Sequence, residues 1–209
     1  YIAASPTDGA SPVEIYDREL IENLGAMNVA DITANMVVNS GAENFADSFT
    51  SGATQGKTNV NLRGLGLTST LVLFDGRRQV VNASQANDGS AFVDTSAIPA
   101  IALERVEVLK EGAASIYGSD AVAGVVNYIF RRDFTGLEVD LTTQQIDVGS
   151  SRDDRVSFIF GEQFGDTNFV LAYSTLDRSP MTGTDKDLAP LAVSTCLLYT
   201  SPSPRDISR

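Results

Sequence analysis

The sequence contains no histidine and a single cysteine, Cys196, among its 209 residues. Histidine is the commonest metal ligand and the commonest general acid or base near neutral pH, so its absence argues against most enzyme mechanisms. One cysteine can form neither an intrachain disulfide nor a cysteine metal cluster. We therefore predict that the protein is not an enzyme and that it holds no metal and no cofactor.

Long apolar runs and basic residues are also scarce. No stretch of about 18 apolar residues occurs, so the sequence predicts no membrane-spanning helix. The first residues, YIAA, lack the charged start and apolar core of a signal peptide, and we expect the chain to begin after any export signal. The 15 Lys and Arg stand against 27 Asp and Glu, a formal net charge of -12. Nucleic acid is not an expected partner, because phosphate binding needs clustered cations.

The N-terminal part of the chain predicts the order strand, helix, helix, strand. Residues 13–16 alternate as a short strand, and Val37 with Val38 predicts another. Asp17 and Asn28 are suitable N-caps for two short helices between these strands. The first helix is expected to run through Leu20, Ile21 and Leu24, and the second is expected to carry Val29, Ile32 and Met36 on one stripe.

Four further segments predict strands of a buried sheet. Residues 59–63 and 71–74 predict buried strands, and the pair Asp75-Gly76 is a tight-turn signal. Residues 125–130 predict an apolar strand, and residues 105–109 predict one with an apolar and a charged face. The side chains assigned to these two faces are Val106 and Val108, and Arg105, Glu107 and Leu109.

After Gly136 the sequence contains longer segments in which apolar residues recur at every second position, as in residues 137–142, 156–160 and 169–173. Such period-two strands of about ten residues, joined by turns such as Gly165-Asp166, are typical of transmembrane β-barrel hairpins. Soluble antiparallel sheets produce the same pattern. The pattern by itself leaves both possibilities open.

An ordered set of motifs links the first 136 residues to a known family. The motifs are NLRGLG at 61–66, LVLFDG at 71–76, ALERVEV at 102–108, YG at 117–118 and AGVVN at 123–127. In this order and spacing the chain resembles the plug domain of TonB-dependent outer-membrane receptors. The resemblance implies an α+β plug domain, a small mixed sheet with flanking helices, followed by the first antiparallel strands of a truncated transmembrane β-barrel of about 22 strands.

The resemblance also implies a domain organisation. We expect a polar N-terminal segment at residues 1–10, the plug at 11–136 and incomplete barrel strands at 137–195. Residues 196–209 contain Ser-Pro repeats without periodicity, and we predict a non-native or disordered tail there.

Three plug residues match family positions that contact the barrel. Arg63 corresponds to the arginine of the Arg-Gly motif, which pairs with barrel carboxylates, and a planar guanidinium suits such pairing. Glu104 and Glu107 correspond to paired acidic positions that hold basic groups of the plug or barrel. An exposed solubilising arginine and a solvated strand face are the alternatives. A second arginine contact is not carried over, because Lys110-Glu111-Gly112 and Ile116 depart from the family pattern.

The implied function is that of a receptor fragment whose plug gates the energy-coupled uptake of a scarce ligand. Iron chelates, cobalamin and oligosaccharides are the ligand classes that relatives carry. The implied partners are the protein's own barrel, the TonB-ExbB-ExbD energy-coupling system, the small-molecule ligand and the outer membrane of a Gram-negative bacterium. Ligand-contact loops are expected at residues 39–57 and 85–90, with Phe45, Phe49 and Asn87 as candidate contacts.

Two other functions are alternatives. A soluble periplasmic binding or signalling module could use a plug-like domain without a barrel. An enzyme could use the glycines between Gly112 and Gly124 as a phosphate cradle, but GxGxxG spacing is absent and no basic residue follows these glycines within the loop.

Overall fold

A five-stranded mixed sheet forms the first part of the structure, a computed structural model that describes residues 13–40, 56–110, 113–146 and 151–179. The strands lie in the order β1-β4-β5-β2-β3. β2 and β5 are parallel, and the other neighbours are antiparallel. The strand bounds are β1 Val13–Asp17, β2 Thr70–Phe74, β3 Arg77–Arg78, β4 Leu103–Leu109 and β5 Gly124–Phe130.

Short helices connect and cover these strands. α1 is Arg18–Asn23, α2 is Val29–Ala34 and α3 is Ala114–Tyr117, with 3-10 turns at Leu67–Ser69, Ala100–Ala102 and Ser119–Ala121. The two predicted N-caps are confirmed. The Asp17 carboxylate accepts the backbone N–H of Leu20 at 2.9 Å, and Asn28 forms a reciprocal capping box with Asp31.

Two predicted strands in this part of the chain are wrong. Val37 and Val38 lie in a turn, with Val37 88% exposed, because the following residue, Asn39, makes only an isolated bridge to Leu62. Residues 59–63 are buried up to Leu62 but do not form a ladder. Two of their backbone N–H groups donate to side chains: that of Asn61 to Asn39 Oδ1 at 2.9 Å and that of Leu62 to Thr70 Oγ1 at 3.0 Å. The bridge between Asn39 and Leu62 supplies isolated backbone bonds, such as Arg63 N–H to the Val38 carbonyl at 2.7 Å.

The core occupies both faces of the sheet. Glu107 and Leu109 on the second face of β4 are buried, at 4% and 6% exposed, because the second face of the sheet also carries an apolar cluster. The larger cluster packs the helices against one face, and a smaller one covers the other. Their central members are Tyr16, Ile21, Val29, Ile32, Leu103, Val106, Val108, Val126 and Tyr128, and Val13, Leu71, Leu73, Leu109 and Val125.

Three long strands follow the plug-like sheet. They are β6 (Gly136–Ile146), β7 (Ser151–Phe164) and β8 (Thr167–Arg178), in the order β6-β7-β8. The predicted alternation and the turn at Gly165-Asp166 are confirmed. The described chain forms two compact units. The first contains the five-stranded sheet, its helices and strand segments 136–140, 157–164 and 167–174; the second contains segments 141–146, 151–156 and 175–179.

Within the second unit, charged side chains pair along the strands. Arg178 Nε lies 2.8 Å from Asp153 Oδ2, and Asp154 accepts hydrogen bonds from Thr143 and Arg152, each at 2.8 Å.

The predicted segments 1–10 and 196–209 lie outside the described residues, and the predicted domain boundaries stay predictions.

Gly124, the first residue of β5, fixes how closely β5 approaches its neighbours. Its φ is +139°, and a Cβ there would lie 2.5 Å from the Leu109 carbonyl oxygen and 2.7 Å from Leu62 Cδ1. We predict that Gly124→Ala lowers the free energy of unfolding by about 2 kcal/mol or more, because both the backbone and the packing must shift. The control is Gly25→Ala, where φ is +61° and no atom lies within 4 Å.

Urea titration of the chain in detergent micelles measures both losses. The control should lose about 1 kcal/mol from backbone strain alone. Equal losses in the two variants would contradict the assigned close approach.

Candidate functional site

A buried polar network crosses the middle of the five-stranded sheet. Glu107 on β4, 4% exposed, accepts a hydrogen bond from Arg105 Nε at 2.9 Å and one from Asn127 Nδ2 at 3.3 Å. Asn127 on β5 in turn accepts the backbone N–H of Gly76, in the β2–β3 turn, at 2.9 Å. The Glu107 carboxylate is therefore bound within the sheet. The sequence analysis does not assign Asn127 to a site, although an amide within the apolar run VVNYIF indicates a buried polar contact.

Glu104 lies on the same strand in different surroundings. Its side chain is 52% exposed, against 5% for that of Glu107, and its carboxylate pairs with Arg105 Nη1. Arg105 thus holds both glutamates at once. A contact of either glutamate with a barrel stays a prediction.

Arg63 lies at the other end of the sheet from Glu104. It has a left-handed backbone, with φ of +58°, and its Nη2 donates to the carbonyls of Ala123 at 3.0 Å and Val122 at 3.4 Å, just before β5 begins. Glu104 is next to Leu103, which pairs with Phe130 at the end of β5. The structure therefore does not bring Arg63 together with the two glutamates, and its contact with barrel carboxylates stays a prediction.

Of the three candidate ligand contacts, Phe45 and Phe49 lie outside the described residues. Asn87 is exposed in a turn closed by the Ala86 N–H and the Ser90 carbonyl at 2.9 Å. Asp88 accepts hydrogen bonds from the Ser90 backbone and hydroxyl, which lower the pKa of the Asp88 carboxyl. Ala86 anchors the turn by packing with Leu67 and Phe92. The turn is well supported, but the role of Asn87 stays a prediction.

In the first unit, the long strands expose mainly apolar side chains and bury mainly polar or small ones. We call this arrangement reversed polarity. Most of their exposed side chains are apolar, although Glu162, Gln163 and Thr167 are exposed as well. The exposed apolar side chains, with exposures from 38% to 67%, are Leu137, Val139, Phe160, Phe164, Phe169, Leu171 and Tyr173. The side chains that alternate with them are mostly polar or small and are buried or half-buried: Glu138, Asp140, Ser157, Ile159, Gly161, Asn168, Val170, Ala172 and Ser174. Ser157 and Ser174 bond through their hydroxyls at 2.9 Å on this face. A water-soluble sheet buries its apolar face instead.

A cavity of about 260 Å³ lies beside β2, with Leu67, Val72, Arg78, Phe92 and Asp120 in its wall. Arg78 Nη1 pairs with Asp120 Oδ2 at 2.6 Å, and Arg78 also donates to the Tyr117 carbonyl.

Among the described residues no group of three or more potential ligands could hold a metal ion. No helix in that part of the chain is long and apolar enough to cross a membrane.

Comparison with known proteins decides the family. The model of the TonB-dependent receptor plug domain matches residues 5–125, more than half of the chain. The chain belongs to this family. The predicted resemblance and fold class are confirmed: a plug-type mixed sheet is followed by long strands that cover only a part of a barrel.

The names of two curated relatives of this plug-domain chain refer to iron or to an iron chelate. The iron-regulated outer membrane virulence protein of Vibrio cholerae is 38% identical over 77 residues, 36% of this chain and 12% of that protein. The ferrienterobactin receptor of Escherichia coli K12 is 31% identical over 151 residues, 62% of this chain and 20% of that protein. The chain thus spans a fifth or less of the length of these relatives.

Solved structures share the fold. The ferric enterobactin receptor PfeA of Pseudomonas aeruginosa matches with a TM-score of 0.58 at 23% identity, over 83% of this chain and 26% of that chain. The unliganded ferric citrate transporter FecA matches with a TM-score of 0.64 at 20% identity, over 83% of this chain and 26% of that chain.

The two glutamates of β4 provide a matched test of the buried network, because both contact Arg105. We predict that Glu107→Ala lowers the free energy of unfolding by about 3 kcal/mol, since it leaves Arg105 and Asn127 without a buried partner. Glu104→Ala should cost less than about 1 kcal/mol, as is usual for exposed pairs. Urea titration in detergent measures both, and a cost for Glu107→Ala no larger than that for Glu104→Ala would contradict the network.

Proposed function

We propose that this chain contributes the plug and the first barrel strands of a TonB-dependent outer-membrane receptor that takes up a ferric iron chelate. The observation that carries the proposal is the reversed polarity of β6, β7 and β8. In the segments that belong to the first unit, the exposed side chains are mostly apolar, and the side chains that alternate with them are mostly polar or small. A transmembrane barrel wall has this distribution, with apolar side chains toward lipid and polar ones toward the lumen.

The reversed polarity weighs against the soluble periplasmic module. A fully buried Val, Leu or Phe side chain gains about 1.5–3 kcal/mol relative to an exposed one. The seven large side chains on the exposed face would forgo much of that gain in water, and the patch would favour aggregation. Contact with hydrocarbon provides the missing burial, which supports an outer-membrane location.

The chemistry of a plug fits gated passage. A plug that must move inside a barrel needs a polar contact with the wall, because separating apolar surfaces would be costly. The inward-facing Glu138, Asp140, Ser157, Asn168 and Ser174 supply a wall of that kind. Energy for such movement would come from the TonB-ExbB-ExbD system, the partner that the family membership implies.

The ligand class rests on the relatives. The names of the matched receptors include ferrienterobactin and ferric enterobactin, and the V. cholerae relative is iron-regulated by name. We therefore propose a ferric chelate rather than cobalamin or an oligosaccharide, and a transport receptor rather than an enzyme.

Uptake of labelled iron tests this function. The complete receptor gene is expressed in a Gram-negative host that lacks its own siderophore receptors, with and without a functional TonB. We expect accumulation of ⁵⁵Fe from ferric enterobactin or ferric citrate only when TonB is functional, with no accumulation of labelled cobalamin or maltooligosaccharide in the same cells.

Asn87→Ala should weaken chelate binding to these cells. The matched control is Asn35→Ala, an exposed asparagine at the end of α2 and outside both expected loops, which should leave binding unchanged.

Iron accumulation that is independent of TonB would contradict energy-coupled uptake. Accumulation of cobalamin or oligosaccharide in place of iron would contradict the ligand class. Recovery of the receptor in the soluble periplasmic fraction would favour the binding module.

A further inference from the structure

Residues 131–135, which connect β5 to β6, are held against the five-stranded sheet. The Arg131 backbone N–H donates to the Ala102 carbonyl at 2.9 Å, and its Nη1 donates to the Ile101 carbonyl at 3.4 Å. The Arg131 guanidinium also lies 4.4 Å from the centre of the Phe134 ring, within cation–π range. Arg131 therefore fixes the start of the connection to the turn that precedes β4.

The same connection is packed against two of the long strands. A Cβ built on Gly161 of β7 would lie 1.9 Å from the Phe134 carbonyl oxygen, so only glycine permits this approach. Asn168 on β8 donates to the Arg132 carbonyl at 2.5 Å. Backbone groups on one side and small or polar side chains on the other thus hold residues 131–134 in place.

Glu138, near the start of β6, binds two arginines that are far apart in the sequence. Its Oε2 lies 2.8 Å from Arg131 Nη2, and its Oε1 lies 3.4 Å from Arg18 Nη2. Arg18 is the first residue of α1, and its remaining donors reach the Ala100 carbonyl at 3.1 Å and Glu22 at 2.6 Å. One carboxylate therefore connects α1, which directly follows β1, to the first long strand.

The contacts of Glu138 with Arg131 and with Arg18 differ in strength. Arg131 is held by several further contacts, and its bond to Glu138 is the shorter one. The bond from Arg18 is longer, and β1, to which α1 is attached, is an edge strand that pairs with β4 alone among the described strands. An edge strand with its attached helix can separate from a sheet without breaking the central ladders. The Arg18–Glu138 contact must break whenever β1 and α1 leave.

We propose that Glu138 is a latch: through Arg18 it holds β1 and α1 to the first barrel strand, while residues 131–134 form the fixed base of the plug. The proposal rests on the proposed function, which makes β6 part of the barrel wall. Glu138 is a positioning residue in this scheme. It sets how readily the N-terminal edge of the plug detaches, and the rest of the sheet stays anchored through Arg131, Phe134 and Gly161.

Hydrogen exchange of the full chain in detergent micelles tests the latch. Arg18→Gln removes the contact with Glu138 together with the bonds to Ala100 and Glu22, and we expect it to speed exchange of the β1 backbone amides about 2- to 5-fold, as is usual for partly exposed ion pairs. Amides of β5 should exchange at the unaltered rate. Glu138→Gln, which leaves the bonds of Arg18 to Ala100 and Glu22 in place, should speed exchange of β1 as well. The double variant should show less than the product of the two single effects, because both changes break the Arg18–Glu138 contact.

Glu22→Gln is the matched control, since it removes the other carboxylate partner of Arg18 but leaves Glu138 intact. It should leave β1 exchange unchanged. The latch is refuted if Arg18→Gln has no effect, if Glu22→Gln has the same effect, or if β5 accelerates as much as β1. Iron uptake with unaltered exchange would reject the latch alone, whereas latch behaviour without chelate uptake would reject the proposed function alone.

Discussion

The side chains of the long strands face two environments, and the rest of the structure depends on keeping these apart. Phe169, Leu171 and Tyr173 on β8 are exposed, while the residues that alternate with them are half-buried: Asn168, Val170, Ala172 and Ser174. This order is typical of a strand with hydrocarbon on its outer side and a polar surface on its inner side. The five-stranded domain offers such a surface where the strands meet it, through Arg131, the backbone of residues 132–134 and Arg18.

The plug domain itself combines an apolar core with polar links at selected points. Glu107 and Asn127 are buried but bonded, so they cost little in the folded state and fix the pairing of β4 with β5 and the β2–β3 turn. Asp75 at that turn accepts the backbone N–H of Phe130 at 3.0 Å and pairs with Arg132 at 2.7 Å. The end of β5 that leads to the barrel strands is therefore stiffened on both sides.

Local signals in the sequence predicted the features that depend on local chemistry. Asp17 and Asn28 cap helices because a short oxygen-bearing side chain can reach the free N–H groups of the next turn. The turn at Asp75-Gly76, strand β5 and the alternation of β6 to β8 likewise follow from neighbouring residues. Val37 and Val38 have strand propensity, but a strand also needs a partner, and the chain there offers only the bridge from Asn39 to Leu62.

Features that depend on tertiary placement could not be predicted in the same way. The alternation along β4 cannot reveal that both of its faces are covered, so the sequence does not predict the burial of Glu107. The contact between Arg18 and Glu138 joins residues 120 positions apart with no motif to mark it. Arg63 was singled out from its motif, but its bonds to the carbonyls of Val122 and Ala123 required the folded arrangement of the loops.

The most direct test of the account is the environment of adjacent β8 side chains in a lipid bilayer. Spin labels are attached through Leu171→Cys or Ala172→Cys, with Cys196→Ser in both, and collision rates with oxygen and with a water-soluble nickel chelate are measured. The account predicts that the label at residue 171 collides with oxygen and is shielded from nickel, and that the label at 172 is shielded from lipid-dissolved oxygen. Strong nickel collisions at residue 171, or equal oxygen exposure of the two labels, would contradict it.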